Sequence, residues 1–361
     1  MGLIHLDITN FRNLTSVNLI PILDGFNFLY GNNGSGKTSL LEAVYYLGLG
    51  RSFRSSVTER VISRSADKFS IFAHLAAKSD NFVPIGLERH QSGEIKMRID
   101  GKDIRSIAEL ASLTPAQLID SHCHSLLEAG PAFRRKYLDW GLFHGNVQFL
   151  PIWRQFERSL QQRNAALRGG LSKSEIESWS HELIDYAIQL DQLRRDYSAQ
   201  LSVILRETAT ELLDRNDLEI SYQSGWDETQ HYQEVLARSF LRDNYLGHTQ
   251  FGPHKADLKI KISGVPAKDI LSRGQQKLFV CAMIVARGAL LQAHANKRPI
   301  YLVDDLPSEL DSSSRARLIA LLSKQAAQIF VTAVQREDEN SFLAKSPMKM
   351  FHVEHGRVTE V

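Results

Sequence analysis

Apolar and polar residues alternate in LIHLDIT (3–9), and an apolar run in FNFLYG (26–31) leads into a glycine-rich turn. These are the patterns of a half-buried and a buried strand. SLLEAVYYLGLG (39–50) then has helical periodicity and stops at glycine. FSIFAHLAA (69–77), NFVPIGLERH (81–90) and EIKMRIDGK (94–102) return to alternation and predict antiparallel strands, the last ending in an Asp-Gly turn.

The middle of the chain changes period. Pro131 opens a predicted helix containing FRRKYLDW, and Pro151 opens another that ends at Gly169-Gly170. In the helix that follows, Ile176, Trp179, Leu183, Tyr186, Leu190, Leu193 and Tyr197 alternate spacings of three and four, a heptad seam. Two long helices joined at Gly-Gly are expected to fold back as an antiparallel arm. About 40 residues at roughly 1.5 Å each make that arm about 60 Å long. From about residue 245 strands and helices alternate again: DLKIKI (257–262), a mostly buried helix over 274–295, RPIYLVDD (298–305), a helix in SSSRARLIALLSK, and QIFVTAV (328–334). Such alternation predicts an α/β fold with a parallel-centred, mixed sheet covered by helices. The expected organisation is a head split in sequence, 1–118 and 246–361, around an inserted helical arm domain over 119–245.

Composition adds few constraints. The 361 residues are 43% hydrophobic and 23% charged with a net charge of +2, ordinary for a soluble globular protein. Two cysteines, Cys123 and Cys281, make no disulfide framework and suit a reducing cytosol. No basic start precedes an apolar signal core, and no apolar run reaches about 18 residues, so a cytoplasmic protein without a membrane role is expected. His122-Cys123-His124 has no second ligand pair at metal-binding spacing, so no zinc site is expected.

The chemistry lies in three short segments. GNNGSGKT (31–38) matches G-x-x-x-x-G-K-[ST] after a strand and before a helix. Gly31, Asn32, Asn33, Gly34, Ser35 and Gly36 can turn backbone N–H groups inward around a phosphate chain. Lys37 would reach the β- and γ-phosphates, and the Thr38 hydroxyl would ligate Mg²⁺. YLVDD (301–305) delivers Asp304 to the end of an apolar strand as a metal partner, with Asp305 next to it to orient or deprotonate the attacking water. In LSRGQQK (271–277) Ser272 is a natural N-cap and Gly274 permits close backbone approach at a second anion-binding helix start.

In this order, with the SELD sequence after the acidic strand, the segments resemble the ABC ATPase class and its DNA-repair, SMC-like branch. LSRGQ looks like the signature of that class, with arginine at its third position. The resemblance implies ATP and Mg²⁺ as cofactors and a homodimer closed by ATP, in which Ser272, Gly274 and Gln275 meet the nucleotide held by the partner. Gln117, in LTPAQLID, falls where the class places a glutamine between γ-phosphate, metal and arm. LLEAGPAFRRKYLDWGLFHGN (126–146), QFGPHKADLKI (250–260), NFRNL and GRSFRS (50–55) are similar to segments of the RecF family of bacterial recombination mediators. That similarity implies DNA binding at gapped duplex or single-strand/double-strand junctions, RecR and RecO as partners, assistance to RecA loading, and links to replication and the SOS response.

Asp305 is one methylene shorter than the glutamate many ABC ATPases carry, and Thr332 or Gln335 stands where many have a switch histidine. Both departures point to slow hydrolysis used as a switch, and the similarity to the RecF family implies that DNA stimulates it. For DNA, the expected surface is Arg134, Arg135, Lys136, Arg154 and Arg158. Seven basic residues between Pro131 and Arg168 face only Asp139 and Glu157. The rival reading is the nucleotide-binding subunit of an ABC transporter. A GTPase is disfavoured because no N-K-x-D motif is present, and a DNA-binding protein with an inactive ATP site stays open.

Overall fold

A computed structural model of the chain describes residues 2–77, 81–305, 310–335 and 347–361. Residues 306–309, which include the first half of SELD (308–311), and the end of QIFVTAVQRED (336–338) lie outside the described residues. The chain divides into two compact units, Met1–Cys123 with Lys277–Val361, and His124–Gln276. Of the arm expected over 119–245, residues 124–245 lie within a larger second unit, which also takes in 271–276 of the signature segment, whereas 119–123 belong to the first unit. The sequence after 245 read as a return to the head because DLKIKI looks like a head strand. In the structure this strand pairs with Leu218–Gln223, through Leu258 opposite Tyr222.

In chain order the elements are β1 (Leu3–Phe11), β2 (Leu14–Leu19), β3 (Gly25–Tyr30), α1 (Lys37–Leu49), β4 (Lys68–Ala76), β5 (Phe82–His90), β6 (Ile95–Ile99), β7 (Lys102–Ile104), α2 (Ile107–Leu113) and β8 (Ala116–Ile119). The second unit contributes α3 (Ser125–Glu128), α4 (Pro131–Gly145), α5 (Phe149–Arg168), α6 (Lys173–Leu213), β9 (Leu218–Gln223), α7 (Tyr232–Leu246), β10 (Asp257–Ile262), β11 (Val265–Pro266) and α8 (Ala267–Ile270). The chain ends with α9 (Arg273–Ala295), β12 (Ile300–Val303), α10 (Ser312–Ser323), β13 (Gln328–Ala333), β14 (Met348–Glu354) and β15 (Arg357–Glu360).

The first unit holds two six-stranded sheets, ordered β2-β1-β4-β5-β6-β7 and β15-β14-β3-β13-β12-β8. The first is antiparallel; its β6–β7 hairpin turns at Asp100-Gly101, both with positive φ (51° and 73°), the geometry an Asp-Gly hairpin turn needs. In the second, β14, β3, β13, β12 and β8 run parallel. Between the sheets lies α1: Leu40, Leu41, Val44 and Leu47 share one buried cluster with Leu6 and Ile8 of the first sheet and Leu29, Leu302 and Phe330 of the second. Tyr30 pairs with Ala333, and Val303 with Val331, so β3, β12 and β13 end along one edge. Ligands of open α/β sheets bind beyond such carboxyl ends. The apolar helix α9, whose composition would suit a bilayer, is instead largely buried within the protein.

In the second unit α5 and α6 fold back on each other, with Phe149, Phe156 and Leu160 packed against Leu183, Ala187 and Leu190. The expected heptad positions form part of a wider face, with Tyr186, Leu193 and Tyr197 half-buried on the same core. Ile176, Ser180, Leu183, Ala187, Leu190, Arg194, Ser198 and Leu201 are buried, whereas Trp179 is 47% exposed. The 20-residue α5 can cover only part of the 41-residue α6, and β9 and α4 also pack on it, so the buried stripe follows the 3.6-residue period of a core helix.

A buried ion pair fixes α5 to α7. Arg163, 1% exposed, donates to Asp243 at 3.0 Å, to Thr249 at 2.6 Å and to Ser180 at 3.1 Å. Asp243→Ala would leave that guanidinium buried without its counterion, so we expect a loss of about 3–5 kcal/mol. Thermal unfolding read by circular dichroism checks it; a midpoint within a degree of the wild type would contradict the assignment.

Candidate active site

The turn after β3 is built around backbone that ordinary residues resist. Gly31 has φ +152°, and a Cβ there would sit 2.1 Å from the Val353 carbonyl oxygen of β14. Gly36 has φ +121°, and its Cβ would meet Leu14 and Asn13 at the β1–β2 turn. The loop is thus pressed between two hairpins. Asn13 Nδ2 donates to Gly34 O at 3.0 Å, Ser39 Oγ donates to Asn13 Oδ1 at 2.7 Å, and Gly356 N–H donates to Ser35 O at 2.9 Å. The C-terminal hairpin is therefore part of the scaffold of the site.

A cleft of about 860 Å³ opens beside this loop. Asn33, Gly34, Gly36, Lys37, Thr38, Asp304, Asp305 and Thr332 line it, with Arg12, Asn13, Arg54 and Ser121. Lys37 Nζ donates to Gly31 O at 2.6 Å and Asn32 O at 3.0 Å. Burial lowers the Lys37 pKa, while Asp305 and Asp304 act to keep the ammonium charged. Asp304 Oδ1 accepts from Thr38 Oγ1 at 3.0 Å and from Thr332 Oγ1 at 2.9 Å. Burial raises the Asp304 pKa and the two hydroxyls oppose it. Asp305 has φ +53° and donates its backbone N–H to Thr332 Oγ1 at 2.8 Å. Of the two switch candidates, Thr332 enters the cleft; Gln335 is exposed and is not part of its lining.

Thr38 and Asp304 offer the hard oxygen ligands that Mg²⁺ prefers, converging beside a loop shaped for phosphates, so the donor set fits that ion. Asp305 follows directly, beside the same Thr332 hydroxyl. The arrangement can hold a polyphosphate, a divalent cation and an attacking water.

Gln117 does not join them. It lies inside β8 opposite Tyr301, is 1% exposed, and its Oε1 accepts from Arg287 Nε of α9 at 2.8 Å. Strand side chains alternate between the two faces of a sheet, and this one turns onto α9, away from the cleft. Ser121, four residues later and past the strand's carboxyl end, lines the cleft. That signal was in the sequence, because the end of the apolar run PAQLI marks the strand's end. Arg12 and Asn13 were read only as part of a family-like segment; the polar tip between two apolar strands was their one local signal.

Ser272, Gly274 and Gln275 belong to the second unit and are exposed at the start of α9. Ser272 N–H donates to Gln275 Oε1 at 3.0 Å and Gln275 N–H to Ser272 Oγ at 3.4 Å, a capping box that leaves Gly274 bare.

The expected DNA surface is thinned. Arg134 makes a two-pronged ion pair with Asp257 at 2.7 and 3.1 Å, and Arg135 donates to Ala256 O at 2.7 Å, with burial lowering its pKa. Arg163, also counted in the basic segment, is the buried partner of Asp243. Lys136, Arg154 and Arg158 are exposed.

The family described as RecF/RecN/SMC N terminal domain matches residues 2–359. Proteins named DNA replication and repair protein RecF from Shewanella frigidimarina (strain NCIMB 400) and Shewanella baltica (strain OS223) are 45% and 46% identical to this chain, each over 100% of both chains. A solved structure titled as the recombination mediator protein RecF with ATP in the RecFOR pathway is 25% identical, with a TM-score of 0.87 over 100% of this chain and 97% of that one. An SMC head bound to the C-terminal winged-helix domain of ScpA, 15% identical with a TM-score of 0.61, shares the fold.

Proposed function

Because the chain belongs to the RecF family, within the RecF/RecN/SMC group, we propose that it is an ATP-dependent DNA-binding protein of recombinational repair. ATP closes it into a homodimer, and slow hydrolysis resets it. The observation that carries this reading is the Asp304 carboxylate accepting from both Thr38 and Thr332, beside the phosphate loop. RecR and RecO are the partners and RecA loading at gapped DNA the outcome, with ties to replication and the SOS response in the cytoplasm. The full-length similarity to proteins named for DNA replication and repair favours this over a transporter's nucleotide-binding subunit.

Within the cleft, Lys37 neutralises the β- and γ-phosphates and the loop's N–H groups cradle them. Thr38 and Asp304 would hold Mg²⁺. That ion would supply positive charge against the charge developing on the phosphates. Asp305 orients the attacking water and accepts its proton. Thr332, bonded to Asp304 and to the Asp305 backbone, fixes their relative placement. The short reach of Asp305 supports slow turnover. Sedimentation and DNA binding, each without nucleotide, with ATP and with ADP, test the reading. DNA affinity and mass that ignore nucleotide would defeat it.

The exposed DNA candidates are Lys136, Arg154 and Arg158. Arg154→Glu with Arg158→Glu should weaken DNA binding and reduce the slope of log K against log[salt] by about two, at about 0.9 per lost duplex phosphate contact. ATP binding should be unchanged. Arg134→Glu should instead destabilise the second unit, because it faces Asp257. An unchanged slope in the double variant would move the surface elsewhere, with Arg51 next, since Arg54 lines the cleft.

A further inference from the structure

Glu42 is a fully buried carboxylate on α1, five residues after Lys37, with none of its surface exposed. A buried charge is stable only when paired and hydrogen-bonded, and the partners of this one share a property. Arg12 Nη2 donates to Glu42 Oε1 at 2.7 Å and Arg12 Nε to Oε2 at 3.0 Å, a two-pronged pair. Arg54 Nη1 lies 3.5 Å from Oε2. Both arginines line the cleft with Lys37. Ser52 Oγ donates to Glu42 Oε1 and accepts from the N–H groups of Arg54 at 2.9 Å and Ser55 at 2.8 Å.

Glu42 is thus placed behind the cleft wall, holding two guanidinium groups at its surface. A two-pronged carboxylate pair fixes the plane of a guanidinium as well as its position. A third residue, Ser52, ties the backbone of the 52–55 turn to the same carboxylate. Nothing in the phosphate-loop motif requires an acid at this position; a helix packed between two sheets would ordinarily bury an apolar side chain there.

We propose that Glu42 is a positioning residue for the bound polyphosphate, acting through Arg12 and Arg54. This rests on the cleft being the ATP site. Glu42 touches no substrate; its effect is to pre-set two cations and the 52–55 turn, so that binding phosphates does not have to order them.

The test is a double-mutant cycle on ATP affinity and thermal midpoint. Glu42→Gln keeps the shape but removes the charge, and should weaken ATP binding about tenfold, the scale of one charge-assisted hydrogen bond. Glu42→Asp, charged but shorter, should fall between Gln and wild type, and it carries the same comparison if Gln does not fold. In an Arg12→Ala/Arg54→Ala background, Glu42→Gln should change ATP affinity less than twofold. It should raise the thermal midpoint there, because the orphaned carboxylate is gone. A merely structural glutamate would give the same ATP loss in both backgrounds, and that result, or normal ATP affinity in Glu42→Gln and Glu42→Asp, overturns the proposal. Lys37→Met run alongside separates the two levels. If it too binds ATP normally, the cleft assignment fails and this inference falls with it; if it loses ATP while the Glu42 variants do not, the inference alone fails.

Discussion

Lys37→Met is expected to abolish ATP hydrolysis and weaken ATP binding while leaving the fold intact. The Lys37 side chain is 9% exposed, and its ammonium is now spent on the carbonyls of Gly31 and Asn32, inside the loop that would receive the phosphates. A bound phosphate chain replaces those carbonyls with charged oxygens in a partly desolvated cleft, where each charge interaction counts for more than in water. Removing one such preorganised group costs roughly 10²–10³-fold in kcat, and more where it also holds the ground state. Methionine fills a similar volume, so the α1 core against Leu29 and Ile8 should persist. Phosphate release and thermal unfolding check the two halves of the expectation. Lys37→Arg should still bind ATP yet hydrolyse poorly, because a planar guanidinium cannot take the place of a point charge. Normal turnover in Lys37→Met would remove the nucleotide assignment altogether.

What the sequence made legible was what neighbours in sequence determine. Residues 31–36 form one continuous loop between β3 and α1, so their spacing alone indicated a glycine-rich turn from strand to helix, and Asp304 and Asp305 follow an apolar run that is a strand. Ser272 and Gln275 form the capping box that the N-cap reading of LSRGQ suggested in part. Pairings across long separations were not legible. Arg134 and Arg163 read as surface charge because their acids, Asp257 and Asp243, lie 123 and 80 residues away. The strand β10 read as part of the head because its partner β9 could not be identified from pattern. Gln117 was misplaced by matching a residue type rather than asking where its strand ends. Glu42 was invisible among the apolar residues of α1, since only the fold shows which arginines turn back onto it.

The larger claim is that the site is completed by a second copy. The first unit supplies the loop, Thr38, Asp304 and Asp305, and the exposed Ser272 and Gly274 are held at the start of α9 in the second. If those residues act on the partner's ATP, Ser272→Arg should leave ATP binding by one subunit nearly normal. A bulky cation in place of the capping hydroxyl would crowd the helix start aimed at the γ-phosphate. Dimerisation with ATP should then fail, and hydrolysis should fall to background although Lys37, Asp304 and Asp305 are all present. Asp305→Asn should do the opposite. With the proton acceptor neutralised, ATP accumulates and the closed dimer persists.

Sedimentation velocity with saturating ATP and Mg²⁺ on two proteins, Asp305→Asn and Asp305→Asn/Ser272→Arg, decides the matter most directly. Hydrolysis is removed from both, so mass reports closure alone. The account predicts twice the 40.8 kDa chain mass for the single variant and the chain mass for the double. Equal masses for the two, whether both dimer or both monomer, would contradict a nucleotide site shared between subunits.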